Sequence, residues 1–497
     1  MRERETKLLV DPDFPVPALD GLDGLQLASE DDVDLRAEYF DTSDLRLTRA
    51  GASLRYRTDA GWTVKLPVVA SAGPSLVRSE HEFGGEPGIP PAVALDLLRA
   101  FTLGVPVRPI AHVRTHRHRI VLTDRRGRRL AEIDDDRVVA TAPSRPRCTF
   151  REVEIELADD APGKIGRRIA KRVRRAGSTT PSGVPKVARA LGLTEMNRPD
   201  DERLVAASAP VADLVTAVVE RSVRRLRLHD PIVRLGEDAE GVHQARVATR
   251  RLRSDLRMLR SELPEEWTDS LRDELRWLGR QLGRVRDADV LRELLCAQAA
   301  WLPASRHDVL DEIVRALDDQ RARHRDELLR AMRSPRYDHL LERLLEASHT
   351  PPVRDSTASG GANRVAVRVA RKQWRRMRRA IKRLGGQPDD PALHRARRRA
   401  KQARYAVESL AVVDRSWPEH IAARAEAVQE TLGDYQDRVV ARTWLQDLAR
   451  DRPELAFVAG EIAGHLSVEQ DGLRRRARRA LRAARTRKPS AIRTAKH

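Results

Sequence analysis

His243-Gln244-Ala245-Arg246-Val247-Ala248-Thr249-Arg250-Arg251-Leu252-Arg253 is the stretch on which the reading of this chain turns. At about 100° per residue, positions i, i+3, i+7 and i+10 fall within roughly a quarter of a helix surface. His243, Arg246, Arg250 and Arg253 therefore form one basic stripe, and Ala248, Leu252, Leu256 and Leu259 gather on the opposite, buriable side. About 150 residues later the order returns, in His394-Arg395-Ala396-Arg397-Arg398-Arg399-Ala400-Lys401-Gln402-Ala403-Arg404. His394, Arg397, Lys401 and Arg404 repeat the stripe, with Ala403, Val407 and Leu410 as its apolar side. Leu282-Gly283-Arg284-Val285-Arg286-Asp287 and Leu432-Gly433-Asp434-Tyr435-Gln436-Asp437 match at nearly the same offset, so an internal duplication is the natural explanation. A solvated arginine-rich face accounts for one such helix but not for a matched order. Cations lined along a helix repel one another, and an anionic ligand relieves that repulsion.

Outward from this stretch the chain divides in two. From about Val211 the pattern is helical almost to the end, interrupted at Ser348 to Asn363 by Pro351, Pro352, Gly360 and Gly361. The tail from Arg474 to Lys488 is either the last helix's solvated face or a basic extension. Glu195 to Pro210 has linker composition. The first ~200 residues read as β-rich, with strands at Glu3 to Val10, Ala52 to Thr58, Trp62 to Val68, Ser79 to Phe83, Thr115 to Thr123, Leu130 to Val139 and Phe150 to Leu157. Helical pieces fall at Pro91 to Thr102 and Pro162 to Ala176. The expected layout is a β domain over 1–198, a linker over 199–210, a helical domain over 211–488 with repeats near 211–347 and 364–488, and a tail over 489–497.

The strands sort their charges. Glu3, Glu5 and Lys7 share one face, as do Arg55 and Arg57, Arg78, Glu80 and Glu82, and Glu152, Glu154 and Glu156. Solvated outer faces explain each strand singly. A closed sheet with both sets pointing inward instead offers oxygen ligands to hard divalent cations and cations to phosphate oxygens, the requirements of metal-assisted phosphoryl chemistry.

Composition agrees with a polyanion partner. The 497 residues carry a formal charge of +20, with 34% charged and 4% aromatic residues. A field of that sign attracts polyanions, while the scarcity of aromatics counts against single-stranded nucleic acid. Cys148 and Cys296 form neither a disulfide framework nor a metal motif. No apolar run nears 18 residues, so no membrane partner is expected. The charged start points to the cytoplasm. The sequence leaves oligomeric state open.

The segment Glu3-Arg4-Glu5-Thr6-Lys7, followed by Tyr39-Phe40-Asp41-Thr42, Leu54-Arg55-Tyr56-Arg57, Lys65 and the Glu152 to Glu156 strand, resembles the CYTH superfamily of triphosphate tunnel metalloenzymes. The resemblance implies an antiparallel β-tunnel that binds triphosphate with Mg²⁺ or Mn²⁺. By motif, Glu3, Glu5, Glu152 and Glu154 are the metal-holding and catalytic carboxylates. Lys7, Arg55, Arg57, Lys65, Arg117 and Arg119 grip phosphates. Asp134 or Asp136, which share a face, supply a further metal ligand. Lys186 resembles the family's late basic residue, although Pro185 precedes it where relatives often carry Ser.

The helical half resembles the CHAD domain, the conserved-histidine α-helical domain that often follows CYTH. The implied fold class is α+β: a β-tunnel plus an all-α duplicated bundle with pseudo-twofold symmetry. The implied ligand is inorganic polyphosphate, held by His243, Arg246, Arg250, Arg253, His394, Arg397, Lys401 and Arg404. Secondary candidates are Arg221, Arg224 and Arg225 before the first stripe, and Lys372, Arg375, Arg376 and Arg379 before the second. Asp287 and Asp437 are expected to tie a helix turn to a basic partner. The leading expectation is polyphosphate binding joined to triphosphatase or polyphosphatase activity. Alternatives are a non-catalytic protein of polyphosphate granules, and a nucleotide-directed enzyme of adenylate cyclase or thiamine triphosphatase type.

Overall fold

In the computed structural model the described residues are 2–19, 22–68, 76–143, 145–158, 160–177, 184–193, 204–354, 361–384, 389–413 and 419–485. The side chains of residues 2–4, 23, 76, 77, 390, 419–421 and 483–485 lie outside the description. The chain forms two compact units, Met1–Asp201 and Glu202–His497.

The first unit is a closed antiparallel barrel. Its strands are β1 (Arg2–Val10), β2 (Gln26–Asp41), β3 (Ser53–Arg57), β4 (Gly61–Pro67), β5 (Leu76–Phe83), β6 (Arg108–Thr123), β7 (Arg129–Ala142) and β8 (Arg145–Leu157). They follow the order β1-β5-β4-β3-β2-β6-β7-β8, with β1 pairing both β5 and β8.

The barrel's polarity is inverted. Glu5 and Lys7 of β1, Glu132, Asp134 and Asp136 of β7, and Glu152, Glu154 and Glu156 of β8 face the interior, and the alternate, mostly apolar residues face outward, where Asp135 pairs with Arg151. Leu8, Ile133, Val153 and Ile155 pack there under helix α4 (Gly163–Arg175), numbered after the short helices α1 (Arg46–Arg49), α2 (Ala92–Leu97) and α3 (Arg99–Thr102). Ile165, Ile169 and Val173 recur every fourth residue on α4, so one stripe meets the sheet while its arginines and lysines face solvent. Each such buried aliphatic side chain contributes about 1.5–3 kcal/mol. Helix α5 (Lys186–Ala190) packs Val187 and Ala190 against Tyr39, Val113 and Val138.

Strand β2 is absent from the expected strands, and β6 starts earlier than expected. The reason is visible in their pairing. Most of β2 is exposed, and its apolar alternation is confined to the short run Val33, Leu35, Ala37 and Tyr39. Charged side chains of β2 instead meet histidines of β6 in register: Asp32 opposite His118, Asp34 opposite His116, and Glu38 opposite His112. His118 Nδ1 lies 2.9 Å from Asp32 and His116 Nδ1 lies 3.4 Å from Asp34. Cross-strand carboxylate–imidazole pairs support a ladder where hydrophobic alternation is short.

The second unit is helical: α6 (Val211–Leu235), α7 (Ala239–Met258), α8 (Glu265–Cys296), α9 (His307–Met332), α10 (Pro335–His349), α11 (Ala362–Lys382), α12 (Asp390–Leu410), α13 (Glu419–Asp451) and α14 (Ala456–Arg485). Helices α6 to α9 repeat as α11 to α14 in order and closely in length. Each helix of the first set touches its counterpart: α6 with α11, α7 with α12, α8 with α13, and α9 with α14. The expected linker is partly structure. Val205 N donates to Val412 O at 2.9 Å and Ala362 N to Ala209 O at 2.8 Å, so residues 205–209 belong to the helical unit. The arginine-rich tail continues α14 as far as Arg485; residues 486–497 lie outside the described set. No helix of the described residues is long and apolar enough to cross a membrane.

Candidate functional site

In the barrel, strand register builds the site. Lys7 stands opposite Glu154, Glu5 opposite Glu156, Asp134 opposite Glu154, and Asp136 opposite Glu152. Arg117 and Arg119 stand opposite Asp136 and Asp134. The inward side chains line a cavity of about 220 Å³ that includes Glu5, Lys7, Arg55, Arg57, Lys65, Arg117, Arg119, Glu154 and Lys186. Glu3 lies on β1 opposite Arg78, but its side chain is outside the described residues.

Asp136, Glu152 and Glu154 converge, and a ligand oxygen of each lies within 4.8 Å of the others. Lys186 Nζ donates to Asp136 at 2.6 Å and Glu154 at 2.8 Å, and stands 3.2 Å from Glu152. Lys7 contacts Glu154 and Glu5, the latter at 2.8 Å. Arg117 donates in a fork to Asp136 at 2.8 and 2.7 Å, reaches Glu154 at 2.9 Å and contacts Asp134. Lys186 thus lies against the acidic cluster and also lines the cavity shared with the other cations. The Asp134/Asp136 register is resolved: both face inward, Asp136 within the carboxylate cluster and Asp134 beside Arg117 and Arg119.

The electrostatics of the neighbours diverge. Burial pushes the Glu152 carboxyl up, against the pull of Lys186 and Lys7. Burial acts on Glu154 too, but Lys186, Lys7 and Arg117 together outweigh it and hold that carboxyl well below its usual range. Burial pushes Asp134 up to about 7, against Arg117. Environments that separate neighbouring carboxyls in this way mark sites of chemistry.

On the opposite wall Glu80 takes Lys65 at 3.1 Å and Arg55 at 3.4 Å, and Arg57 meets Asp59 at 2.7 Å. The sequence showed the charged face of Arg78 and Glu80 but assigned it no role; both line the cavity, as do Tyr39 and Glu132. The Asp41-Thr42 pair of the motif is structural. Asp41, fully buried, accepts from Thr42 N, Leu47 N, Thr48 N and Thr48 Oγ1 at 2.7–2.9 Å. That fixes the turn from β2 through α1 into β3, and with it Arg55 and Arg57.

In the helical unit the apolar sides of both stripes are buried, with Ala248, Leu252, Leu256, Leu259, Ala403, Val407 and Leu410 all under 7% exposed. The stripes meet where α7 contacts α12. Arg250 donates to the Tyr405 hydroxyl through Nε at 2.8 Å and Nη2 at 2.5 Å, and Lys401 Nζ lies 6.0 Å from that ring's centre. Burial, then Arg250, Arg397 and Arg246, pushes Lys401 down to about 6. Arg246 donates to Asp287 at 2.6 Å, as the tie between stripe and helix turn predicts. Burial pushes the Asp437 carboxyl up, against the pull of Arg397. Matched positions differ in surroundings: His243 is half-buried and His394 exposed. Arg404 is neutralised by Glu408 and by Glu426 at 3.0 Å, unlike Arg253, which among the described residues has no carboxylate partner. Among the secondary candidates, Arg221 donates to Glu408 O at 2.9 Å, Arg224 to Glu220 at 2.7 Å, and Arg225 and Arg376 are half-buried. Lys372, Arg375 and Arg379 are exposed.

A family model described as the CYTH domain matches residues 1–188, and one described as the CHAD domain matches residues 217–446. Two curated proteins from two strains of Mycobacterium tuberculosis, each named an uncharacterized protein, are 33% identical to this chain over 500 residues, covering 93% of it and 91% of their own length. The crystal structure of the CHAD domain from the plant Ricinus communis is similar at 26% identity and a TM-score of 0.48, covering 57% of this chain and 95% of that one.

Proposed function

The chain belongs to the proteins that join a CYTH domain to a CHAD domain, and from that membership we propose that it binds inorganic polyphosphate on its helical unit and hydrolyses triphosphate or polyphosphate ends in its barrel with Mg²⁺ or Mn²⁺. The observation that carries the barrel reading is a carboxylate cluster facing cations across one small cavity. The donor set suits a hard divalent ion: all ligands are carboxylate oxygens. Both Glu152 oxygens are buried without a hydrogen-bond donor, a costly arrangement that an ion relieves. Asp136, Glu152 and Glu154 would hold the ion, with Glu5 beside them across Lys7. When bound, such an ion neutralises phosphate charge and lowers the pKa of its water.

The chain's own residues do the rest. Lys7, Lys186 and Arg117 keep Glu154 ionised in the barrel. Arg55, Arg57, Lys65 and Arg119 line the cavity and fix the phosphate oxygens, with Arg78 added to the set. On the helical unit, His243, Arg246, Arg250, Arg253, His394, Arg397 and Lys401 form the polyphosphate surface. Arg404 joins them by position, its charge shared with Glu408 and Glu426 as that of Arg246 is with Asp287. The same reading puts the protein in the cytoplasm, at polyphosphate granules.

The test is phosphate release by the full chain from tripolyphosphate, long polyphosphate, ATP and thiamine triphosphate, with each metal. Release from ATP or thiamine triphosphate alone would transfer the barrel to a nucleotide-directed role. Binding without any release would leave the granule-binding role.

A further inference from the structure

The crossing of α7 and α12 differs on its two sides. One side holds a cavity of about 260 Å³ lined by Arg250, Arg253, Arg257, Arg272, Arg398 and Lys401. Among the described residues no carboxylate lines it, and of these cations only Arg272 has a carboxylate partner, Asp269 at 2.8 Å. Burial and the neighbouring Arg272, Arg399, Arg376 and Arg398 hold the Arg257 guanidinium below its usual range. Such a concentration of like charge costs stability unless an anion meets it.

The duplication supplies an internal control. The offset that relates His243 to His394 carries Arg253 onto Arg404, Arg257 onto Glu408, and Arg398 back onto Val247. The offset of the two Leu-Gly pairs carries Arg272 onto Ala422. On that other side Glu408 binds both Arg251 and Arg404. The counterparts of the open cations are thus a carboxylate, two small aliphatic residues and an arginine already neutralised. Arg250 and Lys401, counterparts of each other, sit at the centre against Tyr405. A polyanion laid across them meets further uncompensated cations in one direction, and in the other the Glu408 carboxylate set among Arg225, Arg251 and Arg404.

We infer that the polyphosphate chain continues from the central Arg250–Lys401 pair to one side only, through the cavity of Arg253, Arg257 and Arg398, which takes the phosphates next in line. This deepens the polyphosphate reading above and rests on it. Arg257 continues the first stripe one step further, at i+14, whereas Arg272 lies on α8 and Arg398 sits off the second stripe's i, i+3, i+7, i+10 positions.

The test measures affinity of the full chain for long-chain polyphosphate over a series of KCl concentrations. Arg257→Ala and Arg398→Ala are each expected to weaken binding and reduce the slope of log affinity against log salt by about 1. Arg257→Lys keeps the charge and the slope. Arg251→Ala, on the other side, removes the same charge and is expected to leave the slope unchanged. Thermal unfolding accompanies each variant; removing Arg257 or Arg398 relieves repulsion, so no loss of melting temperature is expected. Equal slope changes for Arg251→Ala and Arg257→Ala overturn the one-sided path while leaving polyphosphate binding intact. A wild-type chain that fails to bind polyphosphate overturns the parent reading and this inference together.

Discussion

Arg250 Nε donates to the Tyr405 hydroxyl at 2.8 Å across a separation of 155 residues in the chain. The bond joins the first basic stripe to the helix that carries the second, so the two stripes make one composite surface. Tyr405→Phe removes the acceptor and keeps the ring. A hydrogen bond to a charged donor contributes about 1.5–3 kcal/mol. Part of that loss should reach binding, as a severalfold weaker affinity for polyphosphate in titration calorimetry.

The half-buried Lys401 predicts pH-linked binding. With its pKa pushed down to about 6, Lys401 is mostly neutral at pH 7 in the free chain. A polyanion against it restores the ammonium, so binding takes up a proton between pH 6 and 8. Affinity for long polyphosphate, whose internal phosphates stay ionised throughout, should fall as pH rises across that window, and Lys401→Arg should flatten the fall. Stability of the free chain runs the other way. A lysine depressed from its ordinary 10.5 lets the unfolded chain bind more protons, so Lys401 lowers stability below that value and stability rises with pH from 6 upward.

Asp41 predicts a stability defect in the barrel. Its buried carboxylate accepts from several donors at the β2–α1 turn. Asp41→Ala strands those donors and should cost about 3 kcal/mol or more. The measurement is thermal unfolding of the full chain, read as an earlier first transition.

Lys186→Met tests the neighbour of the carboxylate cluster. Lys186 lies within 3.2 Å of Asp136, Glu152 and Glu154. Loss of a group in direct contact with metal-holding carboxylates lowers metal affinity or activity by about 10–100-fold. Phosphate release at graded metal concentration should show that drop, with polyphosphate binding by the helical unit unchanged.

What the sequence made legible was periodicity. Glu152, Glu154 and Glu156 alternate with Val153, Ile155 and Leu157, and the strand follows. The duplicated stripe gave the helix faces because its spacing matches the helical repeat. Strand β2 was illegible because its apolar alternation is confined to Val33 to Tyr39, and pairing with β6 holds the rest in place. Periodicity showed that Lys186 was basic but not that α5 would carry it onto Asp136 and Glu154. Nor could it tell Arg253 from Arg404, since the difference lies in Glu408 and Glu426, one turn and one helix away.

The most direct test of the central claim is phosphate release from tripolyphosphate and polyphosphate by the full chain in Mg²⁺ or Mn²⁺, beside Glu154→Gln. The account predicts metal-dependent release that Glu154→Gln lowers by at least about 100-fold, while polyphosphate binding to the helical unit persists. Release that survives both metal removal and Glu154→Gln would contradict it.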